Sequence, residues 1–282
     1  MRPPFHTLPA ATCNSMRILH ERPPICLLPN LLSAHECQRL IAKAEASGMA
    51  QQTFDDSTTA GQRTSSGCVL RNEEVPTLRE RFARLAGVAL SQLQPLKISR
   101  YAPGERFDAH TDAIRGDSRG APPRADDYWD DLGRGWHGVV GAPISGCNRI
   151  LTLFVYLNDV ARGGRTRWRW TEHDAVGGGT HHLSFYQTPG PGHGRTDLRN
   201  GSGPEVAVVP KEGLGVLHFP STSAASGGFT DYNAFHEAEP PADGCVKYVA
   251  QQFVWSHPKL DWTRVLEDEN WEPPSRRCED TI

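Results

Sequence analysis

Residues 100–112 read RYAPGERFDAHTD, and they place His110 and Asp112 beyond a glycine turn that follows a predicted strand. A second stretch, residues 231–249 (DYNAFHEAEPPADGCVKYV), carries His236 just before another predicted strand. Two imidazoles and one carboxylate can hold a divalent iron on one face and leave the opposite coordination positions open. Two neighbouring strands of a barrel could bring these segments together, so the sequence predicts a facial triad of His110, Asp112 and His236.

Lys247 follows His236 by eleven residues and adds a cation to this set. A compact ammonium at a pocket floor suits the far carboxylate of a dicarboxylic co-substrate, where no bidentate fork is needed. An isolated His-x-Asp is weak support in a chain with 12 histidines. A lone histidine in a polar loop is usually a surface residue. The order and spacing of the four residues together indicate the metal site.

After Pro95 the chain consists of runs rich in β-branched and aromatic residues and bounded by glycine or proline, which is typical of strands. The predicted strands are 96–101, 149–157, 205–209, 214–219 and 246–254. Such strands avoid open edges in a double-sheet jelly roll.

Two helices are predicted before these strands. The first is opened by a capping box between Ser33 and Glu36 and is stopped near Gly48. The second begins near Pro76, a favourable first-turn residue. Its apolar stripe is formed by Leu78, Phe82, Leu85, Ala89 and Leu93. Helices followed by strands predict an α+β fold, with a double-stranded β-helix core of the jelly-roll or cupin-like type and N-terminal supporting helices.

The bulk composition is that of an ordinary globular protein. With 282 residues, 38% hydrophobic, the chain can bury a sizeable core, and a net charge of −3 indicates neither a nucleic-acid nor a membrane partner. Seven scattered cysteines without a CxxC pair fit reduced thiols. The N-terminus lacks the apolar run of a signal peptide. We therefore expect a cytoplasmic protein; the oligomeric state is not indicated.

The domain organisation is predicted as one domain with two flanking segments. Residues 1–22 are expected to form a flexible N-terminal extension, residues 23–256 the jelly-roll domain, and residues 257–282 a C-terminal tail. Residues 113–147 are rich in Gly, Pro, Asp and Trp and begin directly after Asp112, so we predict a lid insertion over the metal.

A second irregular stretch, residues 171–204, contains four histidines that offer an alternative zinc site: His173, His181, His182 and His193. No tetrahedral Cys/His spacing is present there. A solvated loop is the preferred interpretation of this stretch.

Five blocks of sequence, in order, resemble the prolyl 4-hydroxylase-like group of Fe(II)- and 2-oxoglutarate-dependent dioxygenases. The resemblance runs from about Pro24 to Trp255. The blocks are PNLLSAHECQRLIAKAE (29–45), RTSSGCVL (63–70), RYAPGERFDAHTD (100–112), RILTLFVYLND (149–159) with GGRT (163–166), and FHEAEPPADGCVKYVAQQFVW (235–255). Five ordered blocks are a more specific match than one short motif.

The resemblance implies a set of roles for the metal and its co-substrate. His110, Asp112 and His236 would be the catalytic iron ligands, and Lys247 would pair with the C5 carboxylate of 2-oxoglutarate. The implied cofactors are Fe(2+), 2-oxoglutarate and O2, with ascorbate as reductant. A non-catalytic metal- or ligand-binding barrel is the alternative from another class, since fold alone does not determine function.

The same resemblance implies roles around the metal. Tyr101, Thr152 and Tyr156 would line the co-substrate pocket. Arg149 and Phe107 would approach the substrate.

Departures from the family pattern concern the substrate side. Arg165 stands where many relatives carry Glu, Phe107 where tyrosine is frequent, and the 113–147 insertion is long, acidic and aromatic. These features favour a small-molecule substrate, an amino acid or natural-product intermediate, particularly a cationic or amine-bearing one. Peptidyl-prolyl 4-hydroxylation of a partner protein stays the alternative.

Overall fold

The computed structural model describes residues 16–21, 23–52, 63–113, 149–169, 205–221 and 234–255. Within these ranges, α-helices form at α1 (Ala34–Ser47) and α2 (Pro76–Ala86), and short 3-10 turns at Asn72–Glu74 and Leu90–Gln92. The strands are β1 (Arg17–Glu21), β2 (Pro24–Leu28), β3 (Ala50–Gln51), β4 (Ser66–Leu70), β5 (Leu96–Tyr101), β6 (Phe107–His110), β7 (Arg149–Tyr156), β8 (Thr166–Arg169), β9 (Glu205–Val208), β10 (Gly215–His218), β11 (His236–Ala238) and β12 (Lys247–Trp255).

The described strands form two antiparallel sheets. The major sheet has eight strands in the order β1-β2-β10-β7-β12-β5-β4-β3, and the minor sheet has four in the order β6-β11-β8-β9. From β5 to β8, successive strands alternate between the two sheets. This crossing pattern belongs to the double-stranded β-helix, so the predicted α+β jelly-roll fold is confirmed.

The central strands of the major sheet separate two apolar layers. On β7, Leu153 and Val155 pack in the same cluster as the helix residue Phe82, whereas Phe154 and Tyr156 pack with Trp168 of the minor sheet. Successive side chains of a strand point to opposite faces, which explains this division. The helices therefore cover one face of the major sheet, and the space between the sheets is left for the functional site.

Helix α1 begins and ends as predicted. The Ser33 backbone N–H donates to Glu36 Oε2 over 2.9 Å, and the Glu36 N–H donates to Ser33 Oγ over 3.3 Å, which completes the capping box. Gly48, with φ of 80°, is the C-cap.

Helix α2 is shorter than the predicted apolar stripe. It starts at Pro76 but stops at Ala86, because Gly87 adopts the left-handed conformation (φ 68°) that closes the helix. The prediction that Ala89 and Leu93 belong to this helix is therefore wrong. Leu93 is still buried, in an isolated bridge with Val254.

Several predicted segments lie partly or wholly outside the described residues. Within the predicted extension 1–22, residues 17–21 form strand β1, which pairs with β2. Only residue 113 of the 113–147 segment is described, and the 171–204 histidines and the 257–282 tail fall outside the described residues. Neither described helix is long and apolar enough to cross a membrane.

Candidate metal centre

The pairing of two short strands brings the three predicted ligands together. His110 is the last residue of β6 and His236 the first of β11, and the two are direct partners in the antiparallel pair. One ligand atom each from His110, Asp112 and His236 lies within 4.8 Å of the others. His110 Nε2 is 3.7 Å from Asp112 Oδ1, and His236 Nε2 is 3.7 Å from Asp112 Oδ2.

Backbone carbonyls fix which nitrogen of each imidazole faces the cluster. His110 Nδ1 lies 2.8 Å from the Asp108 carbonyl, and His236 Nδ1 lies 3.1 Å from the Ala234 carbonyl. A carbonyl only accepts, so both Nδ1 atoms carry hydrogen and both Nε2 atoms keep a lone pair. His110 Nε2 is buried without a hydrogen-bond partner. Such an unsatisfied acceptor is unfavourable unless a ligand occupies it, and two imidazole nitrogens with a carboxylate fit ferrous iron.

The protonation states also fit a metal. Burial lowers the pKa of His236 to about 4. Burial, and then the proximity of His236, hold the pKa of His110 well below its usual value. Burial alone would raise the pKa of Asp112, but His236 and a hydrogen bond from His218 outweigh it and keep that pKa well below its usual range. Near neutral pH the three groups are therefore deprotonated, as metal binding requires.

His218 is a fourth histidine at the centre, and the sequence analysis assigned it no role. It lies on β10 of the major sheet with no solvent exposure, and its Nε2 is 3.0 Å from Asp112 Oδ2. An ionised carboxylate only accepts, so His218 donates this hydrogen bond. Its ring centre is 4.6 Å from that of His236. A histidine inside the apolar run 214–219 was the only signal in the sequence.

Aromatic rings pack against the imidazoles of both His110 and His236. Phe107 stacks on His110 with ring centres 3.5 Å apart and an interplanar angle of 14°. Trp168, fully buried, stacks on His236 at 5.6 Å and 29°. These contacts restrict the rotation of the two imidazoles and exclude water from their faces.

Lys247 lies inside the barrel with an exposure of 1%. Its Nζ donates to the Gly164 carbonyl over 2.9 Å and lies 4.5 Å from the centre of the Tyr101 ring. Burial lowers the pKa of Lys247 to about 7, and Glu239 offsets part of this shift. Among the described residues, no carboxylate forms an ion pair with this ammonium. A bound carboxylate would compensate the buried charge.

The other residues predicted for the co-substrate pocket share the interior face of the barrel. Thr152 Oγ1 is buried without a hydrogen-bond partner, so it can serve a bound group. Tyr156 donates its hydroxyl to Thr166 Oγ1 over 2.8 Å, and burial raises its pKa, which keeps it protonated. Tyr101 packs against the lysine as described. Their roles in binding stay predictions.

Known proteins similar to this chain are prolyl hydroxylases. No protein-family model matches the chain. The probable prolyl 4-hydroxylase 9 of Arabidopsis thaliana is 24% identical over 248 residues, which cover 84% of this chain and 70% of that protein. Prolyl 4-hydroxylase 5 of the same plant is 26% identical over 159 residues, 54% of this chain but only 46% of that protein. In sequence the chain is therefore similar to prolyl 4-hydroxylases. The cluster of His110, Asp112 and His236 could hold a metal ion, and its two imidazoles and one carboxylate fit Fe(2+).

Two solved structures that align with the chain have TM-scores below 0.5. The viral collagen prolyl hydroxylase of Paramecium bursaria Chlorella virus-1, in a complex with 2-oxoglutarate, gives a TM-score of 0.48 and 16% identity, over 83% of this chain and 96% of that one. The α-ketoglutarate-dependent carbocyclase SnoK of nogalamycin biosynthesis gives 0.46 and 14% identity, over 95% of this chain and 94% of that one.

The two residues predicted to approach the substrate flank the predicted metal ligands. Arg149 donates from Nη1 to the Asp112 carbonyl over 3.2 Å, and its guanidinium carbon lies 4.1 Å from the centre of the Phe253 ring. Phe107 carries the Arg63 guanidinium on its ring at 4.5 Å. Arg63 belongs to one of the blocks of resemblance, but the sequence analysis did not assign it to the site.

Arg165, which departs from the family pattern, forms ion pairs at the minor sheet. Its Nε donates to Glu239 Oε2 over 2.8 Å, and Arg167 of β8 pairs with Glu237 of β11. The side chain of Arg165 is 38% exposed. Its charge therefore joins two neighbouring segments of the minor sheet and is compensated there by Glu239.

Proposed function

We propose that this protein hydroxylates an unactivated C–H bond of a small molecule, an amino acid or natural-product intermediate, and releases succinate and CO2. The supporting observation is the cluster of His110, Asp112 and His236, which presents two neutral imidazoles and one carboxylate within a few ångströms. When bound, ferrous iron and 2-oxoglutarate activate dioxygen and supply the oxidising power for inserting oxygen into a C–H bond.

The residues of the chain have three tasks in this reaction. His110, Asp112 and His236 would hold the iron on one face, so that the opposite positions stay open for co-substrate and dioxygen. Lys247, at the floor of the barrel, would bind the far carboxylate of 2-oxoglutarate. Phe107, stacked on His110, would exclude water from the reacting centre.

Residues on the substrate side support a compact substrate. Arg149 and Phe253 pack against each other immediately beside Asp112, and Phe253 is 7% exposed. Buried, mainly apolar walls with a few polar groups are typical of small-molecule sites. The second candidate is peptidyl-prolyl 4-hydroxylation, which the names of the curated relatives favour.

Succinate release tests the reaction class. Purified protein with Fe(II), 2-oxoglutarate and ascorbate is compared with His110→Ala, which removes one ligand, and with His35→Ala, which changes an exposed histidine on α1. We expect turnover in the wild type and in His35→Ala and none in His110→Ala. Equal turnover by all three proteins eliminates the assignment. Stoichiometric iron binding without 2-oxoglutarate decarboxylation favours the non-catalytic barrel instead.

Substrate class is tested separately by mass spectrometry. The iron-loaded protein is incubated with a library of small molecules and with proline-containing peptides, and products are scored by the mass gain of one oxygen atom. Oxidation of library compounds alone supports the small-molecule class. Oxidation of peptidyl proline alone overturns that class and supports the second candidate.

A further inference from the structure

Strand β8 contacts β11, the strand that carries His236, on both faces of the minor sheet. Arg167 of β8 and Glu237 of β11 are direct partners in the antiparallel pair. The neighbouring residues Trp168 and His236 point to the interior, where their rings stack at 5.6 Å. Alternation along the strands therefore directs Arg167 and Glu237 to the outer face. On that face Arg167 Nη2 lies 2.5 Å from Glu237 Oε1.

The pairing of β11 with its other neighbour, β6, is irregular. Between the paired positions, β11 advances two residues from His236 to Ala238, whereas β6 advances three from His110 to Phe107. An extra residue of this kind forms a bulge and locally disrupts the ladder. The pairing with β8 is in regular register but joins only two residue pairs. Because β11 has three residues, its side-chain contacts with β8 contribute strongly to its register.

Ionic contacts extend from the Arg167–Glu237 pair along the outer face. Glu239, which follows β11, accepts hydrogen bonds from Arg165 Nε over 2.8 Å and from Arg165 Nη2 over 3.0 Å. Arg167 Nη1 lies 3.5 Å from Glu239 Oε1, so the two arginines share this carboxylate. Arg167 and Glu237 are only 17% and 14% exposed. Solvent therefore screens their attraction less than it screens that of a surface pair.

The outer ion pair and the inner ring stacking act on adjacent residues of β11. His236 directly precedes Glu237, so a displacement of the Glu237 backbone displaces the imidazole as well. The hydrogen bond from His236 Nδ1 to the Ala234 carbonyl fixes the rotation of the ring, but it lies within the same segment of chain and moves with it. Arg167 and Trp168 belong to another strand and tie the segment to the sheet. A functional site tolerates a displacement of only about 0.5 Å.

We propose that Arg167, through its ion pair with Glu237, is a positioning residue for His236 and thereby raises the affinity of the site for its metal. This inference rests on the proposed function, in which His236 is an iron ligand. It places a determinant of metal binding on the outer face of the minor sheet, outside the barrel. Arg165, which departs from the family pattern, supports the same contact by binding Glu239 beside Arg167.

Metal affinity is measured by titrating metal-free protein with Mn(II) under argon, followed by electron paramagnetic resonance well below the unfolding temperature. Arg167→Met removes the charge, Arg167→Lys keeps it, and Glu237→Gln neutralises the partner with little change of shape. Arg81→Met is the matched control. Arg81 of α2 forms an ion pair with Glu36 of α1, so its loss destabilises the protein without affecting a contact of β11.

We expect Arg167→Met and Glu237→Gln to lower the Mn(II) affinity by about 3- to 30-fold, the range for changes along a contiguous network of contacts. Arg167→Lys should lose less, because an ammonium still attracts the carboxylates of the outer face. Arg81→Met should bind Mn(II) like the wild type, although its thermal unfolding occurs at lower temperature.

A second readout reports on His236 itself. In Co(II)-loaded protein, each histidine ligand gives a paramagnetically shifted Nδ1–H proton signal, so the wild type should show one signal for His110 and one for His236. In Arg167→Met one of these signals should move or broaden, whereas both should keep their positions in Arg81→Met. A loss of stability alone leaves both signals in place.

Two outcomes overturn the proposal. One is wild-type Mn(II) affinity in a folded Arg167→Met protein, or in Glu237→Gln where Arg167→Met does not fold. The other is an equal loss in Arg81→Met, since the loss then follows from destabilisation. Succinate release by the wild type is measured on the same preparations. Normal release without an effect of Arg167 removes only the positioning role, whereas Mn(II) binding that depends on Arg167 without any release removes only the proposed function.

Discussion

His218 and Asp112 join the two sheets at the metal centre through a hydrogen bond of 3.0 Å. His218 belongs to the major sheet, and Asp112 follows the minor-sheet strand β6. The imidazole of His218 is held edge-on by Phe154 and Trp168, so it cannot follow the carboxylate if the latter rotates. His218 is therefore a positioning residue for Asp112, one of the three predicted ligands.

Replacing His218 should weaken metal binding although His218 is not a predicted ligand. We expect His218→Phe to lower Mn(II) affinity by about 10- to 100-fold, the usual loss when the partner of a ligand is removed. His218→Gln keeps an N–H donor and should lose less. Anaerobic titration of the metal, followed by electron paramagnetic resonance, measures both. Equal affinities in wild type and His218→Phe would show that Asp112 is oriented by other groups.

Metal affinity should resist mild acid. Protons compete with the metal only as pH falls through the pKa of a ligand, and that of His236 is lowered to about 4. Mn(II) affinity should therefore change little between about pH 7.5 and 5.5, whereas a ligand with the ordinary histidine pKa of about 6.5 would lose close to tenfold for each unit below it. Titrations of the protein with Mn(II) at the two pH values distinguish these outcomes. A loss of about tenfold or more would contradict the lowered pKa of the buried imidazoles.

Co-substrate affinity should depend on pH in the opposite direction. The Lys247 ammonium is charged below its pKa of about 7 and neutral above it. The affinity for 2-oxoglutarate should therefore be highest below pH 7 and fall as pH rises, by up to about tenfold per unit. Calorimetry with Mn(II)-loaded protein under argon measures this. Lys247→Met should bind 2-oxoglutarate weakly, without that pH dependence, and should bind Mn(II) normally. A Lys247→Met protein with wild-type affinity would give Lys247 another role.

The glycine turn before β8 should tolerate no side chain. A Cβ at Gly163 (φ 69°) would lie 2.5 Å from the Pro240 carbonyl oxygen, whereas one at Gly244 (φ 77°) would meet nothing within 4 Å. Both alanine variants incur the strain of positive φ, roughly 1–2 kcal/mol. Because only Gly163→Ala adds a clash with backbone, its free energy of unfolding should fall by at least about 1 kcal/mol more than that of Gly244→Ala. Urea denaturation compares the two, and equal losses would refute the close approach.

The sequence predicted both helices and most of the strands after Pro95, but not the two short strands that carry His110 and His236. Strand β5 was predicted with its observed bounds, because its run of strand-forming residues begins directly after Pro95 and ends just before Pro103 and Gly104. Strands β6 and β11, which carry His110 and His236, have four and three residues, too few for any periodicity to be recognised. His110 and His236 were predicted as ligands from spacing and residue type instead.

Contacts between the sheets were beyond the sequence analysis. His218 lies within a predicted strand, and only the approach of the two sheets brings it next to Asp112 and His236. Three further expectations stay predictions: the cytoplasmic location, the use of ascorbate, and the roles of the individual site residues.

The direct pairing of His110 with His236 also links folding to metal capture. Side chains alternate along β11, so a shift of this strand by one residue would replace His236 by Glu237 or Phe235 at the site. A chain with β11 shifted in this way would offer the ion only two of the three predicted ligands and would bind it more weakly. A metal that binds all three ligands would therefore stabilise the correctly paired barrel over the shifted one. Ferrous iron present during synthesis would then favour the correct pairing of β6 with β11.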